Sequence, residues 1–252
     1  MTPTLVLAPR FSDDSNALWR AAIAFGWNIE RLQGWRLPES FSLQPLQQVA
    51  IYGEALWANF VAEQLGFRLY EPPLDWLAKL PLEFVGRRVE FATLNEAREK
   101  SFPLFVKPAD EKAFEARVYN SAQDLPLDDD QQESLWVLTS DIVEWKAEYR
   151  FFILNERTEA GSSYWRGEGS TSVDGAYQAP PDEFQAASDF VKKLLRGKRH
   201  GFAGAGAVID VGLIRGFGWA VVEANPAFGA GIYGCDPKRV LPVVAGCVFQ
   251  ER

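Results

Sequence analysis

The sequence is short of the side chains on which most nucleophilic and metal chemistry relies. Its 252 residues contain one histidine, His200, and two cysteines, Cys235 and Cys247. A Ser-His-Asp or Cys-His site would have to run through His200, and neither cysteine stands in an obvious pairing with it. Two thiols and one imidazole cannot fill a zinc site without carboxylates. They make no disulfide framework either, and read as reduced thiols of a cytosolic protein. No apolar stretch reaches the roughly 18 residues needed to span a bilayer. Residues 1–8 lack the basic-then-apolar pattern of an export signal. Positive charge is also scarce, with 26 Lys plus Arg against 34 Asp plus Glu and a net charge of −8. Nucleic acid and anionic membrane surfaces are therefore not expected as partners. The G-x-G-x-x-G dinucleotide fingerprint is missing as well. An enzyme made from this chain has to work with carboxylates, Lys, Arg, backbone groups and a hard metal ion.

What is present is ample apolar matter, 47% of the chain, enough for one large domain or two small ones. The first third alternates strand and helix signals. Strands are expected at 5–8, 28–32, 48–52 and 67–70. Helices are expected at 16–25, capped from 13–15, and at 54–65, with Leu56, Phe60, Val61 and Leu65 on one stripe. This order implies a small parallel α/β layer. Trp19, Trp27, Trp35 and Trp57 are expected to lie in its core or at a domain interface. Further on, strands are read at 88–93, 104–107, 135–138, 149–154, 163–166, 205–211 and 219–223. Helices are read at 75–80, 95–100, 181–196 and 237–248. The basic run from Lys192 to His200 suits a helix C-terminus, where cations complement the dipole. A boundary is expected near 72–75 or 81.

Three groups of residues carry chemical signals. Asp210 closes one strand, and the next ends in Glu223-Ala224-Asn225-Pro226. Paired strands would make Asp210, Glu223 and Asn225 neighbours, an oxygen-only set suited to magnesium. Taken alone, the carboxylates read equally well as strand ends at a solvent edge. Lys107, in Phe105-Val106-Lys107-Pro108, is either a phosphate ligand at the end of an apolar strand or a surface lysine before a turn. Ser140-Asp141-Ile142-Val143-Glu144, followed by Glu148-Tyr149-Arg150, can present backbone groups to an adenine edge and a carboxylate to a ribose. It reads otherwise as a hairpin with a Glu148–Arg150 salt bridge. Arg166 either neutralises a substrate carboxylate or is a surface-strand arginine. The segment 229–234, with Gly231 and Tyr233, allows close backbone approach to a ligand or is a simple connection.

The strand lysine, the acidic hinge with E-Y-R after it, and D…E-A-N-P come in an order and spacing that resemble the ATP-grasp superfamily, in particular small bacterial and phage members of unassigned substrate. The resemblance covers about residues 81–236. It implies an α+β ATP-grasp fold, two α+β subdomains clasping ATP over 81–252. A small Rossmann-like pre-ATP-grasp domain precedes them over 1–80. ATP and Mg2+ are the implied cofactors. The implied reaction activates a small-molecule or peptide carboxylate as an acyl-phosphate, which an amine then attacks. An ATP-binding module without ligase activity and an ATP-dependent phosphotransferase are the alternatives. By the same resemblance Lys107 contacts the phosphates, with Arg88 (or its neighbour Arg87) as an additional basic residue. Asp141, Ile142 and Val143 form the adenine hinge, and Glu144 holds ribose. Arg150 faces the γ-phosphate or acyl-phosphate, and Asp210, Glu223 and Asn225 hold the metal. Arg166, Gly231 and Tyr233 fall on the substrate side. The loop 109–114 departs from the family pattern. It has no glycine, and Lys112 would replace backbone donors there with a side-chain charge.

Overall fold

Residues 1–252 are described by the computed structural model, apart from 43–46, 111–112, 127–134, 168, 174–175, 198–200, 203 and 251–252. Lys112 and His200 lie outside the described residues. The chain divides into two compact units. One comprises Met1–Pro72, Ala147–Val211 and Glu223–Arg252; the other comprises Pro73–Lys146 and Gly212–Val222.

The first unit opens with β1 (Thr4–Leu7), buried along its whole length. The Ser12 hydroxyl accepts from Ser15 N and the Ser15 side chain answers, a reciprocal cap that starts α1 (Asp13–Ala24) ahead of the expected position. Strands β2 (Asn28–Arg31) and β3 (Val49–Tyr52) flank β1 in parallel, with Leu5 opposite Ile29 and Ala50. Helix α2 (Ala55–Gln64) buries Trp57, Ala58, Val61 and Ala62. The expected stripe is wrong for two of its four residues, since Leu56 is 68% and Phe60 41% exposed. Trp57 and Val61, four apart, share one helix face, and the large indole takes the interior place that Leu56 does not. Of the four N-terminal tryptophans, Trp57 is buried, but Trp19 and Trp35 are 42% and 47% exposed. Strand β4 (Phe67–Leu69) follows Gly66 but does not extend the parallel layer; its partner is the last strand of the chain.

In the second unit the helix expected at 75–80 is a 3-10 turn, Leu77–Lys79, and a short α3 (Leu82–Val85) follows that the sequence does not announce. Gly86 ends α3 at φ +64°, where a Cβ would strike the Phe217 ring at 2.7 Å. Next come β5 (Val89–Thr93), α4 (Leu94–Arg98), β6 (Leu104–Pro108), β7 (Arg117–Tyr119) and β8 (Trp136–Ser140). The four strands pair antiparallel in the order β5-β8-β6-β7. Leu94, Ala97, Val106, Tyr119, Leu125 and Val137 make the core of this unit.

The chain then runs through β9 (Trp145–Leu154), β10 (Arg157–Arg166) and the short β11 (Gly169–Ser170), β12 (Ser172–Val173) and β13 (Ala176–Tyr177). Helix α5 (Pro181–Arg196) follows, then β14 (Ala207–Ile214), β15 (Gly218–Asn225), α6 (Pro237–Ala245) and β16 (Val248–Gln250). Five of these strands form a sheet in the order β11-β10-β9-β14-β15. Phe184 of α5 sits 5.8 Å from the Phe151 ring, and Gly161 leaves the room Phe151 fills, since a Cβ there would come within 2.6 Å of it. The final helix stops at Ala245, and Gly246 releases β16, which pairs with β4, Leu69 opposite Val248. The core of the first unit joins Leu5, Leu7, Ile51 and Trp57 to Phe152, Val208, Phe228 and Leu241. Burying each such side chain contributes about 1.5–3 kcal/mol.

Candidate active site

Neighbouring strands β9 and β14 bring Arg150 to Asp210. Arg150 is 7% exposed and Asp210 is fully buried, so the expectation of a carboxylate at a solvent edge does not describe Asp210. Two charges can share a dry site only if each satisfies the other. The Arg150 Nε donates to Asp210 Oδ1 at 2.9 Å and Nη2 to Oδ2 at 2.6 Å, while Nη1 donates to the Gly231 carbonyl at 3.0 Å. The ring of Tyr233 lies 4.9 Å from the guanidinium carbon and that of Tyr164 5.6 Å. These two rings stack on each other at 4.9 Å, and Tyr233 takes a left-handed backbone (φ +48°). Burial opposes the charge of Arg150, but the Asp210 carboxylate outweighs it and raises the guanidinium pKa above its ordinary value. Arg150 therefore stays a fixed cation.

The same carboxylate reaches β15. Asn225 Nδ2 donates to Glu223 Oε1 at 2.9 Å and to Asp210 Oδ2 at 3.3 Å, so the three residues expected at the metal converge. A half-turn of the Asn225 amide exchanges its nitrogen for an oxygen. The set then offers two carboxylates and an amide oxygen, donors that fit a magnesium ion retaining waters and phosphate oxygens. Among the described residues no group of three or more His, Cys, Asp or Glu is gathered to hold a metal.

Lys107, half-buried, stands on β6 opposite Leu138 of β8 in the second unit. The ladder continues past Pro108, since Ala109 N donates to Trp136 O at 2.9 Å. Residues 141–144 form an irregular link from β8 to β9, and Asp141, Ile142 and Glu144 are exposed there while Val143 is half-buried. The link is tied at both ends. Arg88 N donates to Asp141 Oδ2 at 2.9 Å, and the Arg215 guanidinium lies 2.6 Å from Glu144. The hydrogen bond from Arg215 holds the Glu144 carboxyl below its ordinary pKa. The neighbouring arginines differ sharply. Arg88 is exposed and pairs with Glu90. Arg87 is buried, donates to the carbonyls of Val85 and Val221 at 2.8 and 2.9 Å, and lies over the Trp145 ring at 4.9 Å. Arg166 donates to Glu183 of α5 and, at 3.3 Å, to the Tyr149 hydroxyl.

Several residues at this site carry no sequence signal. The Tyr164 hydroxyl donates to Glu148, and burial, then the negative charges of Asp210 and Glu148, raise its pKa. The segment after Asn225 is sewn to the N-terminal layer. Gly53 N donates to Phe228 O at 3.0 Å, the Tyr52 hydroxyl donates to Ala230 O at 2.9 Å, and Ile232 N donates to Asp14 Oδ2 at 3.2 Å. Gly234 approaches Ser162 so closely that a Cβ would stand 2.6 Å from Oγ.

A family model for the ATP-grasp domain, the second family of its clade, matches residues 84–243. The chain belongs to this family. The matched span includes Lys107, Arg150, Asp210, Glu223 and Asn225. No curated protein matches the sequence. Among solved structures, the fold of this ATP-grasp chain is similar to that of an L-amino acid ligase from Bacillus licheniformis. The TM-score is 0.61 at 13% identity, over 99% of this chain and 75% of that one. It is also similar to D-cycloserine synthetase (TM-score 0.57, 12% identity, 96% of this chain and 98% of that one). A RimK domain ATP-grasp protein from Sphaerobacter thermophilus is similar too (TM-score 0.54, 17% identity, 97% of this chain and 98% of that one). At such identities the likeness is one of fold, and the fold is ATP-grasp.

Proposed function

We propose that this ATP-grasp protein is an ATP-dependent ligase that joins a small-molecule or peptide carboxylate to an amine through an acyl-phosphate. The observation that carries the reading is the buried Arg150–Asp210 pair, tied through Asn225 to Glu223, inside the span the family model matches. Such a fixed cation beside hard oxygen donors suits the negative charge of a transferring phosphoryl group, and it needs no histidine. Magnesium bound by Asp210, Glu223 and Asn225 would neutralise charge on the phosphate oxygens. Arg150 holds the γ-phosphate or the acyl-phosphate through its remaining donor capacity. Lys107 contacts the phosphates as a compact charge, with Arg88 and Lys112 as further basic residues. The backbone of 141–143 reads the adenine edge. Glu144 binds ribose by exchanging its exposed pairing with Arg215. Gly231 and Tyr233 stand on the substrate side of Arg150, and Arg166 reaches a substrate carboxylate only by giving up Glu183.

One of the similar structures is an L-amino acid ligase, which makes amino acids the first carboxylates and amines to try. The two free, buried thiols support a cytoplasmic setting. Among the described residues no helix is long and apolar enough to cross a membrane. The test is an ADP-release screen with ATP and magnesium over amino acids and short peptides. The reading expects release that depends on a carboxylate and an amine together. Release with a single substrate, phosphorylated and stable, supports a phosphotransferase. A thermal shift with ATP but no ADP under any pair supports a binding module.

A further inference from the structure

The first unit contains a cavity of about 390 Å³, and of its lining residues the ligase reading uses only Gly231. It lies where the chain leaves the C-terminal ends of β1 and β3, the side on which parallel α/β layers receive ligands. Its walls are Ala8, Pro9, Tyr52 and Trp57, with Asp14 and Gly231 among the remaining lining residues. The volume falls at the small end of small-molecule sites and has room for an amino acid. Arg31 fixes the rim by donating to the carbonyls of Ala8 and Arg10 at 3.0 and 3.2 Å.

Asp14 is the ionisable group of the cavity with no contact ion pair of its own among the described residues, the charge of Arg150 reaching it across Gly231. One of its oxygens accepts from Ile232 N at 3.2 Å. Among the described residues no Lys or Arg forms an ion pair with it, whereas the other lining carboxylate, Glu54, is exposed and paired with Arg10. Burial raises the Asp14 carboxyl above its ordinary pKa, and the hydrogen bond from Ile232 N, the charge of Arg150 and the hydrogen bond with Tyr52 only partly offset it. Gly231 is the bridge to the site already described. A Cβ built there would lie 3.4 Å from Asp14 Oδ2 and 3.7 Å from Arg150 Nη1. A cation held by Asp14 therefore sits one residue's width from Arg150.

We infer that this cavity is an amine subsite, taking a substrate with a primary ammonium group on an apolar body the size of an amino acid, with Asp14 binding the ammonium. The inference rests on the ligase reading for its place in the reaction. A carboxylate brought to the same spot meets Asp14 with like charge, and a neutral analogue leaves Asp14 unpaired, so charge selects the amine.

Calorimetric titration of the full chain with the amides of glycine, alanine, leucine and phenylalanine tests it, with 3-phenylpropionate and 3-phenylpropanamide as controls. At least one amino-acid amide should bind, more tightly than either control. Asp14→Asn keeps an oxygen for Ile232 N, so its circular dichroism should match the wild type while amine affinity falls by at least about ten-fold. Gly231→Ala, whose methyl the protein can hold without strain, should also weaken the amine, because that methyl takes the space 3.4 Å from Asp14 Oδ2. No binding of any amide, tighter binding of 3-phenylpropionate, or unchanged affinity in a folded Asp14→Asn would each overturn the subsite. A thermal shift with ATP and magnesium, run on the wild type in parallel, separates the two readings. ATP binding without amine binding removes the subsite alone, and amine binding without ATP binding removes the ligase reading alone.

Discussion

The guanidinium of Arg150 and the carboxylate of Asp210 share two hydrogen bonds, at 2.9 and 2.6 Å, in a place where Asp210 meets no solvent at all. This makes the pair structural as well as chemical. Removing one partner leaves the other charge buried and uncompensated, which costs about 3–5 kcal/mol. Arg150→Ala and Asp210→Asn should therefore lower the melting temperature strongly as well as abolish turnover. Glu223→Gln, at a half-buried position, should abolish turnover with little loss of stability. Thermal melts of the three variants check this, and an Asp210→Asn protein as stable as the wild type would contradict the buried pair.

Lys107→Ala should weaken binding of an ATP analogue by losing a charge-assisted phosphate contact worth roughly 1.5–3 kcal/mol, or about one to two decades in Kd. Lys107→Arg should restore only part of it, because a planar fork does not put charge where a compact ammonium does. Lys193→Ala, on the surface of α5, is the neutral control. Calorimetry on the three variants reads the difference.

The strands that carry the candidate site residues, and the meeting of Asp210, Glu223 and Asn225, are legible in the sequence for identifiable reasons. Lys107, Asp210, Glu223 and Asn225 stand at fixed offsets from strands with strong apolar signals, so their pattern survives as a string of letters. The helix Pro181–Arg196 is bounded by Pro180 at its start and Gly197 at its end, with buried residues at helical spacing between. What was not legible depends on distant residues meeting. Tyr164 and Tyr233 are 69 positions apart in sequence yet stack beside Arg150. Asp14 reads as helix-cap chemistry until Ile232 is laid against it. Short elements also escape the sequence pattern. The three-residue β7 and β16 are too brief for a period to show, and β4 reads as another parallel strand because its partner comes 180 residues later.

Asp14→Asn should also carry a stability signature with a definite sign. The folded-state pKa of Asp14 lies above its ordinary value of 3.8, chiefly through burial. Its stabilising contribution is complete below the unfolded pKa and is lost as pH rises through the folded one. At neutral pH the wild type bears a half-buried charge that the amide does not. The variant should then melt higher than the wild type at pH 7, with the gap closing as pH falls through the folded pKa toward about 4. A gap that widens on acidification would contradict the environment assigned to Asp14.

Burial pushes the thiols of Cys235 and Cys247 up to about 12. The thiolate is the reactive form. At pH 8 neither cysteine should react with an aromatic disulfide reagent in the native protein, and both should react once guanidinium unfolds it. Rapid native labelling of either would show that it is not held as described.

Activation of the carboxylate by phosphorylation is the step that distinguishes the proposed ligase most directly. Once the screen has identified a carboxylate and an amine, the carboxylate is supplied with both oxygens labelled as 18O, and the released inorganic phosphate is analysed by mass spectrometry. In the proposed reaction a carboxylate oxygen attacks the γ-phosphorus and ADP leaves. The amine then forms the C–N bond while phosphate departs with that oxygen. Each phosphate should carry one 18O. Phosphate without label, or label appearing in AMP, would contradict the acyl-phosphate route and with it the central claim.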